Sequence, residues 1–271
     1  MIDVIIPMYN SRNTIFDCIN SVLKQTRIDL INAIIIVDDG STDDCALYIK
    51  NVFCDENKIK LIRKENGGVS TARNVGIKAS KAKWIALLDS DDIWLPEKIE
   101  KQWEMVSKYK KIQFIGCNRN NEKVHWGKRV RHDLYMLDLR HILIKTWPHT
   151  STALIRREIF DEVGFFNENM RYAEDGDMWN RIACKYPLFY IPVSYEIAGS
   201  NKMQFGEKGL SANLKAMHEG NIRNIQVLRK DNNISCVFYL FLLNYNFIKY
   251  IRRIFTIKLK DAFLIRLKRE C

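Results

Sequence analysis

Four apolar runs, each followed by a helical pattern, fill roughly the first 108 residues, and this alternation confines the chain to one fold class. Val4-Ile5-Ile6-Pro7, Ala33–Val37, Ile59-Lys60-Leu61-Ile62 and Trp84–Leu88 read as short strands, the first ending at Pro7. Helices are predicted over about residues 12–24, from Ser41 or Thr42 to about Phe53, over Val69–Ala79, and over Pro96–Lys108. Asn10 or Ser11 would cap the first, and Ser41 or Thr42 the second. The expected architecture is α/β: a Rossmann-like, mostly parallel sheet flanked by helices on both faces. Right-handed crossovers then gather the strand carboxyl ends along one edge, where ligands bind.

The chemistry-bearing residues fall at that edge. Asp38 and Asp39 follow the second strand, and Asp89, Asp91 and Asp92 follow the fourth. Three carboxylates within four residues repel one another, and burial adds to the cost of ionising them. A divalent cation relieves both, and all-oxygen ligands suit Mg²⁺ or Mn²⁺ held together with substrate phosphates. A turn that opens the next helix accounts for the same residues, because Asp favours turns and caps, and Pro96-Glu97 fits a first helical turn.

Beyond residue 110 the pattern loosens. Phe114–Cys117 and Thr152–Ile155 read as strands, Asn118–Asp133 as a polar loop, and Arg157–Val163 as a short helix. Glu174–Lys185 is predicted helical and Leu188–Val193 a strand. The segment 206–271 is predicted helical and differs in kind. From residue 201 the chain holds 14 Lys/Arg and 5 Asp/Glu, a balance of +9 out of the total of +11. Val237–Leu243 is strongly apolar but too short to span a bilayer. Apolar and aromatic residues interleaved with Lys/Arg have the composition of an interfacial helix; a helix packed on the core or on a second subunit is the competing reading. The seven cysteines are scattered without a Cys-x-x-Cys pair, which argues against zinc or a disulfide framework and for a reducing cytoplasm. Met1-Ile2-Asp3 has no basic n-region, so no signal peptide is expected.

In this order, Ile5-Ile6-Pro7-Met8-Tyr9-Asn10, Val37-Asp38-Asp39-Gly40-Ser41-Thr42-Asp43, Asn66–Gly76, Leu88-Asp89-Ser90-Asp91-Asp92 and Ala173-Glu174-Asp175-Gly176-Asp177-Met178-Trp179 resemble family 2 glycosyltransferases of the GT-A fold. The likeness spans about residues 1–200 and is greatest to bacterial enzymes that build O-antigen, capsule or lipopolysaccharide. It implies a nucleotide-sugar-binding half over 1–110 and a half over 111–205 for the acceptor and the catalytic base, ahead of the basic, aromatic helical tail that composition gives over 206–271. It also implies a UDP-sugar donor (UDP-Glc, UDP-Gal or a UDP-N-acetylhexosamine), Mn²⁺ or Mg²⁺, inversion, and a saccharide acceptor carried on a lipid.

By that resemblance, Pro7, Tyr9, Asn10, Asp38, Asp39, Arg73, Asp89 and Ser90 contact the nucleotide-sugar; a helix cap is the competing reading for Asp38 and Asp39, a core aromatic for Tyr9, and pairing with an Asp of the metal cluster or exposure to solvent for Arg73. Asp91, with Asp89, binds the metal, and Asp92 acts behind it or caps the next helix. Asp175 is the base that deprotonates the acceptor hydroxyl, Glu174 orients the acceptor, and Asp177 is a further candidate. Relatives carry an Arg-x-His-like segment where this chain has Tyr195-Glu196-Ile197-Ala198-Gly199-Ser200, and His149 is the nearest substitute. The tail would meet an anionic membrane surface, placing the protein peripherally on the inner face of the cytoplasmic membrane. A nucleotidyltransferase or an Asp-x-Asp phosphatase is an alternative, as is a non-catalytic membrane or nucleic-acid adaptor. The intact carboxylate set makes nucleic acid an unexpected partner.

Overall fold

The computed structural model describes residues 1–199 and 212–270, with side chains as far as residue 259. It forms two compact units. Among the described residues, one comprises Met1–Arg171 and Asp177–Gly199; the other comprises Tyr172–Gly176 and the C-terminal helices.

In the first unit, β1 (Ile2–Met8), β2 (Ile31–Asp38), β3 (Ile59–Arg63) and β4 (Trp84–Leu87) alternate with α1 (Ile15–Leu23), α2 (Cys45–Val52) and α3 (Val69–Ala79). β5 (Ile93–Trp94), α4 (Lys98–Lys108), β6 (Phe114–Asn118), β7 (Lys128–Arg131), β8 (Leu134–Leu137) and α5 (Leu139–Ile144) follow. The remaining elements are β9 (Leu154–Arg156), α6 (Glu158–Val163), α7 (Glu174–Ala183, whose first three residues belong to the second unit), β10 (Leu188–Ser194) and β11 (Glu196–Ile197). Nine strands make one mixed sheet in the order β3-β2-β1-β4-β9-β6-β10-β8-β7, and β5 pairs with β11 in a small second sheet. The first four strands are mutually parallel, so their carboxyl ends share one edge.

Alternate residues of the central strands face opposite layers, as the two-residue period of a strand requires. Val4, Ile6, Ile34 and Ile36 pack with Ile15, Cys18, Ile19 and Ile99 on one side. Ile5, Ile35 and Val37 pack with Ala72, Ile77 and Trp179 on the other. Gly76 is where α3 presses on β1: a Cβ there would lie 2.4 Å from Ile5 Cγ2.

Several sequence expectations change. β1 runs through Pro7 to Met8; Pro7 lies beyond Ile5, the last residue paired with β4, so its missing N–H removes no bond from that ladder. Neither Asn10 nor Ser11 caps α1, which begins after Thr14, and neither Ser41 nor Thr42 caps α2, which begins after Asp44. Asp92 does not cap α4, which starts six residues later at Lys98. The predicted loop 118–133 contains β7, a strand of Lys128-Arg129-Val130-Arg131 hidden from pattern reading by its charges; an edge position tolerates them. β9 is antiparallel to both of its neighbours, which breaks the parallel run.

The core also encloses the ammonium of Lys98, which lies 3.8 Å from the Trp94 ring centroid and donates to Gln102 Oε1 at 2.9 Å. Burial pulls its pKa from 10.5 down to about 8. Between those values the folded lysine is neutral while the unfolded one still holds its proton, so this residue makes stability rise with pH across the window. In urea unfolding, wild type should gain on Lys98→Met between pH 8 and 10.5, by on the order of 3 kcal/mol. A constant difference would place Lys98 in water.

In the second unit, α8 (Leu214–Lys230) packs against α9 (Cys236–Glu270), with His218 stacked on Tyr250 at 4.6 Å. Asn213 caps α8 by accepting the Ala216 N–H. Among the described residues, no helix is long and apolar enough to cross a membrane.

Candidate functional site

Three loops at the carboxyl edge of the parallel strands are tied to one another by polar side chains. After β1, Asn10 adopts a left-handed conformation (φ 50°), which asparagine tolerates better than most residues. Its Oδ1 accepts the Thr42 N–H at 2.8 Å, and its own N–H donates to Ser41 Oγ at 3.0 Å. Ser11 Oγ meets Ser90 Oγ at 2.7 Å, joining this loop to the aspartate loop after β4. Pro7 is buried in β1, whereas Tyr9 is half exposed beside it.

The two aspartates after β2 have different surroundings. Asp39 is spent on structure: its oxygens accept the N–H groups of Gly67 at 3.0 Å and Gly68 at 2.7 Å, and Lys64 Nζ stands 2.6 Å away. It fastens the Gly-Gly turn from which α3 starts. Asp38 is fully buried. Its Oδ1 accepts the Ser41 N–H at 2.9 Å, while Oδ2 has Arg63 Nε at 3.5 Å but no hydrogen bond. Asp38 therefore keeps one unspent acceptor atom at the end of a strand.

α3 carries Arg73 to the aspartate loop. The guanidinium is buried, donates from Nη2 to Asp89 Oδ1 at 2.7 Å, and lies 5.2 Å from the Phe166 ring centroid. Burial works against ionisation of Asp89, but Arg73, by charge and hydrogen bond, and the charge of His149 outweigh it and hold the carboxyl below its ordinary range. Within the loop, Asp91 is exposed and Asp92 buried.

Asp92 belongs to a network that the sequence did not reveal. Its Oδ1 accepts the Gly199 N–H at 2.7 Å, and its Oδ2 accepts from Ser151 Oγ. The same Ser151 hydroxyl accepts the Asp89 N–H at 2.9 Å. His149 Nδ1 lies 2.8 Å from Glu196 Oε1 and 3.9 Å from Asp92 Oδ2. Glu196 is wholly buried, and its Oε2 has no hydrogen bond. Burial, reinforced by the charges of Glu196, Asp89 and Asp91, pushes Asp92 up to about 8 despite His149. Burial alone would lower His149; Glu196 beside it, aided by Asp92, raises it to about 9. Glu196 and Ser151 were missed as site residues. The one available signal was a carboxylate, Glu196, in the stretch that departs from the family's pattern.

Asp92, His149 and Glu196 each offer an atom within 4.8 Å of the others and could together hold a metal ion, although ligation there would replace the His149–Glu196 bond. Exposed Asp91 adjoins this group, whereas Asp89 commits Oδ1 to Arg73. Carboxylate oxygens with one imidazole fit Mn²⁺ better than Mg²⁺, which takes oxygen ligands.

Asp177 Oδ2 accepts from Arg181 Nε at 3.0 Å and Nη2 at 2.7 Å, and Arg181 in turn donates to the carbonyls of Val163, Gly164 and Phe165. This pair latches α7 to the loop after α6. In the second unit, Glu174 and Asp175 open α7, and Asp175 Oδ1 accepts the Gly176 N–H at 2.7 Å.

The model of the family described as Glycosyl transferase family 2 matches residues 3–171. An uncharacterized glycosyltransferase of Rickettsia conorii is 36% identical over 186 residues; the match covers 68% of this chain but only 30% of that protein. Among solved structures, S. aureus TarS 1-349 in complex with UDP-GlcNAc superposes with a TM-score of 0.67 at 20% identity, over 89% of this chain and 70% of that one. A mannosyltransferase of Pyrobaculum calidifontis in complex with GDP-Man and Mn²⁺ also gives 0.67, at 18% identity, over 89% and 67%.

Proposed function

The chain belongs to glycosyl transferase family 2, and from that premise we propose that it moves a hexose or N-acetylhexosamine, with inversion, from a UDP-sugar to a lipid-linked saccharide in bacterial surface polysaccharide synthesis. Its fold is that of the GT-A glycosyltransferases. Family membership displaces the nucleotidyltransferase, phosphatase and adaptor readings.

One observation carries the proposal: Asp38, Arg73 and the Asp89–Asp92 loop share one edge, each held differently. Asp38, with its unspent Oδ2, is suited to accept a uracil N–H. Arg73 is a fixed guanidinium that steadies Asp89 against the donor's ribose or sugar. Asp91, with the Asp92, His149 and Glu196 group behind it, would hold a divalent cation, which would neutralise charge on the departing nucleoside diphosphate. The UDP-GlcNAc held by the TarS structure supports a UDP-sugar donor. Asp175 takes the proton of the acceptor hydroxyl as that oxygen attacks the anomeric carbon from the face opposite the diphosphate. The site of action is the inner face of the cytoplasmic membrane, where the acceptor's lipid resides.

UDP- and GDP-sugars screened against lipid-diphosphate saccharides, with and without Mn²⁺, test the reading. Acceptor-dependent release of UDP that needs the metal and falls about a hundredfold or more in Asp91→Ala is expected. Metal-independent release, or equal release without an acceptor, would overturn it.

A further inference from the structure

Helix α9 is turned inside out. Val237, Leu240, Phe241, Ile248, Phe255 and Leu259 recur at helical spacing and stand between 50% and 80% exposed. The opposite face carries buried Leu242 and Asn246, the Tyr250 ring stacked on His218, and partly buried Lys249 and Arg253. A helix packed for water shows the reverse arrangement. We infer that the outward face of α9 docks on an anionic lipid surface, its apolar row entering the acyl boundary while Arg252 and Lys258, exposed at its margins, meet lipid phosphates.

Charge selects this occupant. Cys236–Glu270 holds eight Lys/Arg and two acidic residues, so a second copy laid on the same face would bring like charges together. The row extends over Val237–Leu259, about 33 Å at the helical rise, a long convex surface suited to lying in a membrane plane. The surface deepens the membrane-peripheral reading and is independent of the transfer chemistry.

Co-sedimentation of the full chain with phosphatidylcholine vesicles, with and without phosphatidylglycerol, tests it. Wild type should bind the anionic vesicles, and Phe241→Ser/Ile248→Ser/Phe255→Ser should bind at least roughly tenfold more weakly. Arg252→Glu/Lys258→Glu should lose the preference for phosphatidylglycerol. Both variants should keep turnover on a soluble acceptor, so loss of transfer and loss of docking are read separately. Unchanged vesicle binding in the triple variant would overturn the inference. So would a lipid-free dimer, seen by light scattering, that the triple variant converts to monomer.

A separate observation concerns the start of α7. Ala173, the residue before Glu174 and Asp175, is left-handed at φ 57°, a strained conformation for a residue with a Cβ. Two residues of α8, one turn apart, hold it there. Asn224, buried, donates from Nδ2 to the Ala173 carbonyl at 2.9 Å. Gly220 makes room: a Cβ on it would stand 2.8 Å from the Tyr172 oxygen and 3.1 Å from Ala173 Cβ. All of these residues lie within the second unit. We propose that Asn224 is a positioning residue, acting through Ala173 to aim the Asp175 carboxylate. This rests on Asp175 being the base.

Asn224→Ala should lower kcat about tenfold and leave the donor KM within about twofold, because only the base is misaimed. Glycine accepts a left-handed φ without strain, so adding Ala173→Gly to Asn224→Ala should restore most of the kcat. A purely structural role for Asn224 would not be rescued in this way. Unchanged kcat in Asn224→Ala, or no recovery in the double variant, would overturn the brace. Asp175→Ala assayed in parallel separates the two ideas, since retained activity there would sink the base assignment itself.

Discussion

Asp175→Ala should fold as wild type and lose transfer by about two to four orders of magnitude, the usual worth of a general base. An alcohol is a poor nucleophile at neutral pH, and its proton must leave as the new glycosidic bond forms. No metal-side residue can take that proton in an inverting reaction, because the attacking oxygen approaches from the face away from the diphosphate. Asp175→Asn keeps the shape and loses the basicity, so it should fall almost as far. Donor binding, followed by calorimetry with UDP, should be unchanged in both. Glu174→Gln should act mainly on the acceptor KM. Wild-type turnover in Asp175→Ala would reject the assignment.

The second large effect is on stability. Arg73→Met strands the Asp89 carboxylate that Arg73 Nη2 now meets at 2.7 Å. Breaking a buried pair from one side costs about 3–5 kcal/mol, and Asp89 retains 27% of its side-chain exposure, so a loss of about 3 kcal/mol is expected in urea unfolding. Asp89→Asn added to Arg73→Met removes the stranded charge and should recover much of that loss. Arg73→Lys should recover only part, since an ammonium does not reproduce the guanidinium's directed N–H. If Arg73→Met unfolds at the same urea concentration as wild type, the ion pair contributes nothing.

Arg73 also shows how far the sequence could be read. A guanidinium one helical turn past a Gly-Gly turn was placed near the aspartates because strand, turn and helix each have a local signature. Val69–Ala79 was legible to the residue for the same reason. Asp39 shows the limit: nothing beside it in the chain announced that its oxygens accept the N–H groups of Gly67 and Gly68, 28 and 29 positions away. His149 likewise looked isolated, and only the fold sets it against Glu196, 47 residues later.

Apolar runs at strand length, helical periodicity between them and acidic residues at the run ends were enough to specify the parallel half and the identity of its carboxylate edge, because those signals act over neighbouring residues. Tertiary structure alone decided that β9 runs antiparallel, that a charged segment becomes the edge strand β7, that Ser151 and Gly199 brace Asp92, and that Asn224 holds Ala173. Apart from β7, which forms a short hairpin with β8, each of these depends on a hydrogen bond or ladder between residues far apart in the chain. Such pairings have no period, so they exist only once packing has brought the partners together.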